Sequence, residues 1–224
     1  MSAPDRIRIK ICGMTRLADA LCAATAGVDA LGFIFYEKSP RAVSLSAAKD
    51  IIRQLPPLVA AVGVFVDEKL EQVVRTVRAC GLTHVQLHGA EPPDYCRQLA
   101  DSAASCRIIK AVRVGTHSTS ADITPYRTAI HGYLLDTYEH SRAGGTGQRF
   151  DWSLIDQLQL DRPFFLAGGL DLKNIRVALK QVTPYGVDAN SGLEDAPGLK
   201  NHHRIHSFIT TVRGFECERL ASQQ

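Results

Sequence analysis

The stretch Ile7-Arg-Ile-Lys-Ile-Cys-Gly-Met-Thr15 joins a short apolar run to a turn that contains a single glycine. The isoleucines of residues 7–11 predict a buried strand of a parallel sheet. A doubly wound dinucleotide-binding sheet carries a Gly-x-Gly-x-x-Gly turn directly after its first strand. The turn Cys12-Gly-Met-Thr15 lacks that pattern. The other common parallel α/β architecture is the closed (β/α)8 barrel. The absence of the dinucleotide-binding turn therefore favours the barrel.

Seven further apolar runs of the same kind follow at regular intervals. The predicted strands are residues 7–11, 30–35, 59–66, 83–87, 107–112, 131–135, 163–167 and 186–188. Eight strand–helix units leave no room for a second domain in a chain of 224 residues. We therefore expect an α/β fold with a single (β/α)8 TIM barrel over residues 1–224, with short polar ends at 1–6 and 215–224.

Helical patterns lie between these strands. Residues 68–80 carry apolar side chains at i, i+3, i+4 and i+7, and Gly81 stands at the C-terminal cap position. Asp171 is predicted to cap the N-terminus of a helix over 171–182. A last helix over 199–213 is expected to end at Gly214, with residues 215–224 frayed. The patterns after Ser44 and over 119–129 are less regular.

The composition excludes several classes of protein. With 45% hydrophobic and 22% charged residues and a net charge of +3, the chain is typical of a globular protein and not of a disordered one. No run approaches the ~20 apolar residues that span a bilayer. The first residues lack the apolar segment of a secretion signal. Six cysteines without a Cys-x-x-Cys pair indicate a reducing compartment, so we expect a cytoplasmic protein.

The charged and metal-binding residue types point to a small anionic ligand. No two Lys or Arg residues are adjacent, and both signs of charge are interspersed, so we expect no nucleic-acid partner. His202 and His206 stand at i, i+4, a spacing that some metal sites use, but no carboxylate or cysteine joins them at a suitable spacing. We expect no metal and no cofactor.

In a (β/α)8 barrel the functional residues lie at the carboxyl ends of the strands. Strands do not need Cys, His or Asp at these positions for stability, so polar residues there predict one polar mouth. The residues at these positions are Cys12, Arg41, Asp67, His88, Arg113, Asp136, Gly168, Gly169, Asp188, Asn190, Ser191 and Gly192.

The loops after strands seven and eight are the expected phosphate site. Gly168 and Gly169 allow backbone N–H groups to approach an oxyanion, and Asn190, Ser191 and Gly192 add donors in the neighbouring loop. Barrels frequently bind phosphate at this place. The alternative for the glycine pair is a tight turn without a ligand.

Several of the other residues allow two interpretations. Asp136 follows an apolar run, where desolvation raises a carboxyl pKa as a general acid requires, or it orders its own loop. Cys12 is a base that needs nearby positive charge, or a small buried hydrophobe. His88 faces a ligand or makes a structural hydrogen bond. Arg113 attracts an anion or pairs with a loop carboxylate, and Asp67 faces the substrate or caps the third helix.

The last candidate for the site is a glycine-rich loop. Gly144-Gly-Thr-Gly147 is long enough to close over a ligand, or it is a flexible solvent loop.

The motifs together resemble the phosphoribosylanthranilate isomerase family of tryptophan biosynthesis, in order from about residue 7 to 213. They are Lys10-Ile-Cys-Gly-Met-Thr-Arg16, Gly32-Phe-Ile-Phe-Tyr-Glu-Lys-Ser-Pro-Arg41, Val64-Phe-Val66, Val85-Gln-Leu-His-Gly89, Leu134-Leu-Asp136, Gly144-Gly-Thr-Gly147, Phe150-Asp-Trp152, Leu166-Ala-Gly-Gly-Leu170, Gly186-Val-Asp188 and Ser191-Gly192. Each is moderately specific, and the set is highly specific.

The resemblance implies a (β/α)8 barrel and an Amadori rearrangement of N-(5-phosphoribosyl)anthranilate to 1-(2-carboxyphenylamino)-1-deoxyribulose 5-phosphate. It implies that Cys12 is the general base and Asp136 the general acid. It further implies that Arg41 holds the anthranilate carboxylate and that Asp188 lies near the ribose hydroxyls. The loops Gly168–Gly169 and 190–192 are implied to bind phosphate.

One position departs from the family pattern. Many members have Asp-Val-Ser-Ser-Gly where this chain has Asp188-Ala-Asn-Ser-Gly192. The Asn190 side-chain amide is able to donate to a phosphate, so the identity of that contact stays open.

Two other functions are alternatives to the isomerase. A different phosphosugar barrel enzyme, an epimerase or a relative of indole-glycerol-phosphate synthase, needs paired metal ligands or catalytic lysines at strand ends. Lys10 and Lys110 lie inside their predicted strands, and Lys38 alone is in a suitable loop. A non-catalytic binding barrel would lack Cys12 or Asp136, and both are present. The sequence leaves a monomer and a homodimer both open.

Overall fold

A computed structural model describes residues 6–136 and 152–222. Its centre is a closed parallel barrel in which eight strands pair in chain order and β1 pairs with β8 to close the sheet. The strands are β1 (Arg8–Ile11), β2 (Ala30–Ile34), β3 (Ala60–Phe65), β4 (His84–Leu87), β5 (Arg107–Arg113), β6 (Gly132–Asp136), β7 (Phe164–Ala167) and β8 (Gly186–Ala189). The predicted (β/α)8 barrel is confirmed, and each predicted strand lies within a residue or two of an observed one.

Helices follow the strands and surround the barrel. They are α1 (Leu17–Thr25), α2 (Leu45–Ile52), α3 (Leu70–Cys80), α4 (Pro93–Ser102), α5 (Ser120–Ile123), α6 (Ile175–Gln181) and α7 (His202–Ala221). A 3₁₀ segment, Trp152–Leu158, lies between β6 and β7, and a two-stranded hairpin, β9 (Glu194–Ala196) and β10 (Leu199–Lys200), lies between β8 and α7.

Two helix ends are determined by local chemistry, and the cap at Gly81 was predicted. The Ser44 hydroxyl accepts a hydrogen bond from the Ala47 N–H at 3.2 Å and caps α2. Gly81 ends α3 in the left-handed conformation, with φ 69°, which glycine adopts without steric cost.

Two helices are shorter than predicted. The helix expected over 119–129 ends at Ile123 and continues as a 3₁₀ turn, because Pro125 has no N–H for the helical ladder. Asp171 does not begin α6, which starts at Ile175. The Asp171 carboxylate instead accepts hydrogen bonds from the N–H groups of Lys173 and Asn174, so it stabilises the turn before the helix.

The last helix is longer than predicted and begins later. Residues 199–200 form β10, and Asn201 caps α7 by accepting from the Arg204 N–H at 2.9 Å. The prediction that the helix ends at Gly214 and frays afterwards is wrong, because α7 continues to Ala221. Glycine costs about 1 kcal/mol in a helix, and tertiary contacts of Glu216, which is buried, outweigh that cost here.

The pairing register determines which side chains enter the barrel. A small apolar cluster of Ile109, Ala111, Leu134 and Ala167 fills its interior, and a larger one lies between the strands and the helices. Gln86 pairs with Ile109, and Lys10 pairs with Asp188, so these polar residues share the inner face. Because strand side chains alternate, Cys12, His88 and Asn190 point the same way two residues later.

Two sequence features away from the barrel mouth are also placed. Among residues 6–136 and 152–222, no helix is long and apolar enough to span a membrane. His202 Nε2 donates to the Asp19 carboxylate at 2.9 Å, and His206 lies 3.6 Å from the sulfur of Cys22. The two histidines therefore do have a carboxylate and a cysteine nearby, contrary to expectation. They form two separate pairs, and the described residues contain no group of three metal-ligating side chains.

Candidate active site

A cavity of about 570 Å³ opens at the carboxyl ends of the strands. This volume is in the range of small-molecule sites. The structure brings most of the predicted site residues to its wall: Cys12, Arg41, His88, Arg113, Asp136, Gly168, Gly169, Asp188, Asn190 and Ser191. A smaller cavity of about 420 Å³ adjoins it and shares His88, Arg113 and Asp136, with Asp67 in its wall.

Cys12 lies at the end of β1, buried beneath this cavity. Gly32 on β2 makes room for its side chain, because a Cβ at Gly32 would stand 2.7 Å from the Cys12 sulfur. Burial raises the pKa of the Cys12 thiol, and the ammonium group of Lys10 acts in the opposite direction. The Cys12 thiolate is therefore dependent on the charge that lies next to it.

That charge comes from a buried ion pair inside the barrel. Lys10 Nζ lies 2.8 Å from Asp188 Oδ2, and their side chains are 1% and 8% exposed. Burial lowers the pKa of Lys10, but its interactions with Asp188 and Cys12 together outweigh burial and raise that pKa, which favours the charged lysine. Lys10 was expected inside its strand, without a role at the site. The two-residue alternation of strand side chains, which puts Lys10 and Cys12 on one face, is the signal in the sequence that points to this role.

Asp136 ends β6 and faces His88 across the mouth. His88 Nε2 lies 3.4 Å from Asp136 Oδ2, and both side chains are about one-quarter exposed, at 27% and 23%. His88 Nδ1 contacts the amide nitrogen of Gln86 at 2.8 Å. The sequence left two roles open for His88, and its position is compatible with both. One side of the ring faces the cavity, and the other side makes a hydrogen bond.

Arg41 is held by residues that the sequence analysis did not identify. Its Nε and Nη2 donate to the Glu194 carboxylate at 2.8–3.0 Å, in a two-pronged pair. Lys200 Nζ, fully buried, lies 2.8 Å from the same carboxylate and donates to Asn190 Oδ1 at 2.9 Å. Burial opposes ionisation of Glu194, but hydrogen bonds from Arg41 and Lys200 outweigh it and lower its pKa.

This network also shows where the departing residue Asn190 lies. Its side-chain oxygen accepts from Lys200, and a Cβ at Gly13 would stand 2.7 Å from that oxygen. The Asn190 side chain therefore connects the loop after β8 to Lys200 and to the turn after β1. Glu194 and Lys200 were missed because residues that pair with Arg41 lie more than 150 positions away in the chain.

The loops after β7 and β8 form the expected phosphate region. Gly168 and Gly169 have φ of 92° and 67°, a left-handed conformation that turns the backbone toward the cavity. Asn190 precedes a 3₁₀ turn, Ser191–Leu193, whose first N–H groups have no partner within the turn. Gly192 lies behind this surface, because a Cβ there would stand 2.2 Å from the Leu170 carbonyl oxygen.

Asp67 does not cap α3. Its carboxylate accepts from the Ala90 N–H at 2.6 Å, and its own N–H donates to Glu91. Glu91 is buried, forms an ion pair with Lys110 at 2.8 Å and accepts from the Gly89 N–H. These contacts hold the loop that follows His88. The predicted closing loop, Gly144–Gly147, lies outside the described residues.

Comparison with known proteins gives a consistent result. The family model of N-(5'phosphoribosyl)anthranilate (PRA) isomerase matches residues 9–211. An N-(5'-phosphoribosyl)anthranilate isomerase of Pelobacter propionicus is 46% identical over 95% of this chain and 98% of its own length. One of Geobacter sp. (strain M21) is 45% identical over 92% of this chain and 98% of its own.

Solved structures agree with the sequence relatives. The crystal structure of phosphoribosyl anthranilate isomerase from Thermotoga maritima superposes with a TM-score of 0.80 at 42% identity, covering 93% of this chain and 99% of that one. A phosphoribosyl anthranilate isomerase in complex with reduced 1-(o-carboxyphenylamino)-1-deoxyribulose 5-phosphate superposes with a TM-score of 0.78 at 41% identity, with the same coverage. From its barrel, its cavity and these relatives, the chain belongs to the N-(5'-phosphoribosyl)anthranilate isomerase family.

Proposed function

We propose that this chain carries out the isomerase reaction of its family by general acid–base catalysis, with Asp136 as the acid and Cys12 as the base. The reaction converts N-(5-phosphoribosyl)anthranilate to 1-(2-carboxyphenylamino)-1-deoxyribulose 5-phosphate in tryptophan biosynthesis. One observation carries the proposal. Asp136 and Cys12 line the same cavity as the Arg41 guanidinium and the two loops that contain Gly168, Gly169 and Ser191.

The acid acts first. A proton from Asp136 passes to the furanose ring oxygen, the bond from that oxygen to C1 breaks, and the anilino nitrogen becomes an iminium. The charge on nitrogen acidifies the proton on the neighbouring C2. Asp136 suits this step because it lies at the mouth beside His88, where substrate reaches it.

The base completes the rearrangement. The Cys12 thiolate removes the C2 proton, and the electron pair moves toward nitrogen to give an enolamine. The enolamine ketonises as its 2-hydroxyl loses a proton and C1 gains one, and the Cys12 thiol and Asp136 carboxylate regain their starting forms by proton exchange with solvent. Protons and bonding electrons are redistributed within one molecule, so the balance needs no external oxidant. The two residues stand on β1 and β6, separated around the barrel by β7 and β8, which supports attack from two sides of one substrate.

The two ends of the substrate are bound at opposite parts of the wall in this proposal. Arg41 receives the anthranilate carboxylate, because a guanidinium already aligned by Glu194 presents donors in a fixed orientation. Gly168, Gly169, Ser191 and the backbone near Gly192 receive the phosphate. Asp188 contacts the ribose hydroxyls, which is supported by its buried Oδ1 atom, an acceptor without a partner among the described residues.

The test is a coupled fluorescence assay in which phosphoribosylanthranilate is generated in place from anthranilate and phosphoribosyl pyrophosphate. We expect Asp136→Asn and Cys12→Ala each to lower kcat by about 10²–10⁴-fold, as loss of a proton-transfer group does. The matched controls Asp101→Asn and Cys217→Ala, both at exposed positions, should keep wild-type turnover. Near-wild-type turnover by a folded Asp136 or Cys12 variant would remove that residue from the mechanism.

We further propose a cytoplasmic location, supported by six free cysteines. The partner is a small phosphosugar, and nucleic acid and membrane are not partners in this proposal. Monomer and homodimer are both represented among relatives, since the Thermotoga maritima structures include monomers generated from a dimeric enzyme. Light scattering of the purified chain distinguishes the two states.

A further inference from the structure

Gln86 is a buried polar residue that the reaction described above does not use. It lies in the middle of β4, is 1% exposed and pairs with Val64 and Ile109 on the inner face of the barrel. A buried amide costs free energy unless its polar atoms are hydrogen-bonded. An apolar residue at this position would fit the neighbouring cluster of Ile109 and Leu134. We therefore expect a specific contact to stabilise the Gln86 amide.

The contacts of Gln86 lead to the proposed acid in two steps. Gln86 Nε2 lies 2.8 Å from His88 Nδ1, and His88 Nε2 lies 3.4 Å from Asp136 Oδ2. The Gln86 oxygen is buried and has no hydrogen-bond partner among the described residues. The amide is therefore oriented by its bond to the imidazole and not by a competing partner for its oxygen.

The direction of this hydrogen bond determines the proton on the ring. An amide nitrogen donates and does not accept, so His88 Nδ1 must be the acceptor. A neutral imidazole carries one proton, which then sits on Nε2, the nitrogen that faces Asp136. A second proton on Nδ1 would point at the Gln86 N–H group and lose this bond.

Several charged groups lie near the His88 ring. Four carboxylates and three cations line the two cavities that His88 shares, and the Lys110 ammonium is already paired with Glu91. The groups are Asp67, Asp122, Asp136, Asp188, Arg41, Lys110 and Arg113. An imidazolium beside Asp136 would stabilise the carboxylate and leave less of the protonated form that a general acid needs.

We propose that Gln86 is a positioning residue for the acid: its amide holds His88 as the neutral Nε2–H tautomer, so that the ring orients Asp136 without giving it a cationic partner. The inference rests on the proposed role of Asp136 as the general acid. It assigns to Gln86 an effect on the pH dependence of the reaction that a packing role would not have.

The test compares Gln86→Glu with Gln86→Met in the full chain. A glutamate carboxylate at this position accepts a hydrogen bond from Nδ1–H and stabilises the imidazolium, whereas methionine removes the donor with little change of volume. The ¹⁵N shifts of the His88 ring nitrogens report the tautomer. We expect Nε2–H in the wild type and an imidazolium at neutral pH in Gln86→Glu.

The kinetic readout is the alkaline limb of kcat/KM, which falls as the acid loses its proton. In Gln86→Glu this limb should move to lower pH by about 1 pH unit or more, the effect of a nearby opposite charge on a carboxyl group. In Gln86→Met, kcat should fall with KM nearly unchanged, and the ¹⁵N shifts should show mixed tautomers. Gln54→Glu, the same change on the exposed surface of the barrel, should match the wild type.

Either of two results would overturn the proposal. One is a wild-type ring with its proton on Nδ1 or with two protons at neutral pH. The other is a pair of Gln86 variants that keep the wild-type tautomer and the wild-type alkaline limb. If Gln86→Glu does not fold, Gln86→Met and the wild-type ¹⁵N shifts decide alone. Failure of the proposed function is recognised separately, by full turnover of Asp136→Asn.

Discussion

Opposing influences on the pKa of Cys12 determine how readily its thiol ionises. Burial raises the pKa of its thiol, and the Asp188 carboxylate nearby acts in the same direction, whereas Lys10 and Lys200 favour the thiolate. A base must be deprotonated before it takes a proton. The buried Lys10–Asp188 pair therefore has two effects on Cys12 at once, and the lysine is the member that assists catalysis.

This balance predicts the pH dependence of the acidic limb. Because the pKa of Cys12 is raised, its thiolate fraction is small at neutral pH and grows as pH increases. The rate at which iodoacetamide alkylates Cys12, followed by mass spectrometry, should show this limb as a rise of about tenfold per pH unit below that pKa, with the midpoint above neutral pH. Lys10→Met should move the limb to still higher pH while melting shows a folded protein. A limb at or below pH 7 in the wild type would contradict this assignment.

Gly32 is predicted to be essential for space and not for backbone flexibility. A Cβ at this position would stand 2.7 Å from the Cys12 sulfur and 3.0 Å from its Cα. Gly32→Ala should displace the base and lower kcat/KM by about 10²-fold, since small misplacements of a reacting group are costly. Steady-state kinetics and a thermal melt measure both effects. Gly214→Ala in α7, where a Cβ meets open space, is the control.

Among the elements, the hairpin of β9 and β10 has a role that its small size does not suggest. Glu194 on β9 holds Arg41, and Lys200 on β10 holds Asn190 and Glu194. The hairpin therefore connects the proposed carboxylate site to the phosphate loop through buried charges. Thr15 is tied to the same hairpin by a hydrogen bond to the Gly198 carbonyl at 2.6 Å.

Glu194→Gln tests this connection. The amide loses the two-pronged charge-assisted pair with Arg41, so the guanidinium is less well oriented. We expect KM to rise about tenfold or more with a smaller effect on kcat, because binding is lost in the ground state as well as the transition state. Asp195→Asn, the exposed neighbour on β9, is the matched control. Equal KM values for the two variants would remove Glu194 from substrate binding.

The hydrogen bonds of Glu194 also make a prediction for stability. Its pKa is lowered in the folded protein, so its contribution is present above the unfolded pKa and is lost as pH falls through the folded value. Acid unfolding of Glu194→Gln should therefore depend less on pH below about pH 4 than that of the wild type. Urea melts across this range measure the difference, and parallel curves would contradict it.

At the scale of the whole molecule, the last helix contacts the residue directly before the first strand. Glu216 on α7 accepts a hydrogen bond from the Ile7 N–H and pairs with Arg213 at 2.9 Å. Arg213 also donates to the Ile7 carbonyl at 2.8 Å and reaches Asp29 at 3.1 Å. The last helix is thereby fastened to the first strand, at the point where β1 meets β8.

Removing this contact should destabilise the barrel as a whole. Glu216→Ala leaves the Ile7 N–H and Arg213 without their acceptor, which should lower the free energy of unfolding by about 2–3 kcal/mol and Tm by about 5 °C. Calorimetry measures the change. Cys217→Ala, the exposed neighbour on the same helix, should melt like the wild type. Equal melting temperatures would show that α7 beyond Gly214 contributes no stability.

Local chemistry was enough to predict the barrel and the residues of its mouth. Each strand is a buried apolar run, and the end of each run is visible as the first polar residue, so Cys12, His88 and Asp136 were found from the sequence. Helix ends such as Gly81 depend on one residue and its neighbours, and these were also predictable.

The pairs between distant residues could be identified only in the folded chain. Lys10 with Asp188, Arg41 with Glu194 and Gln86 with the His88–Asp136 pair join strands or loops whose register is determined by closure of the barrel. The same applies to α7, which continues past Gly214, where Glu216 contacts Ile7 directly before β1. Propensity acts within a few residues, whereas a buried charge is stabilised by whatever partner the fold brings to it, and that partner has no local signature.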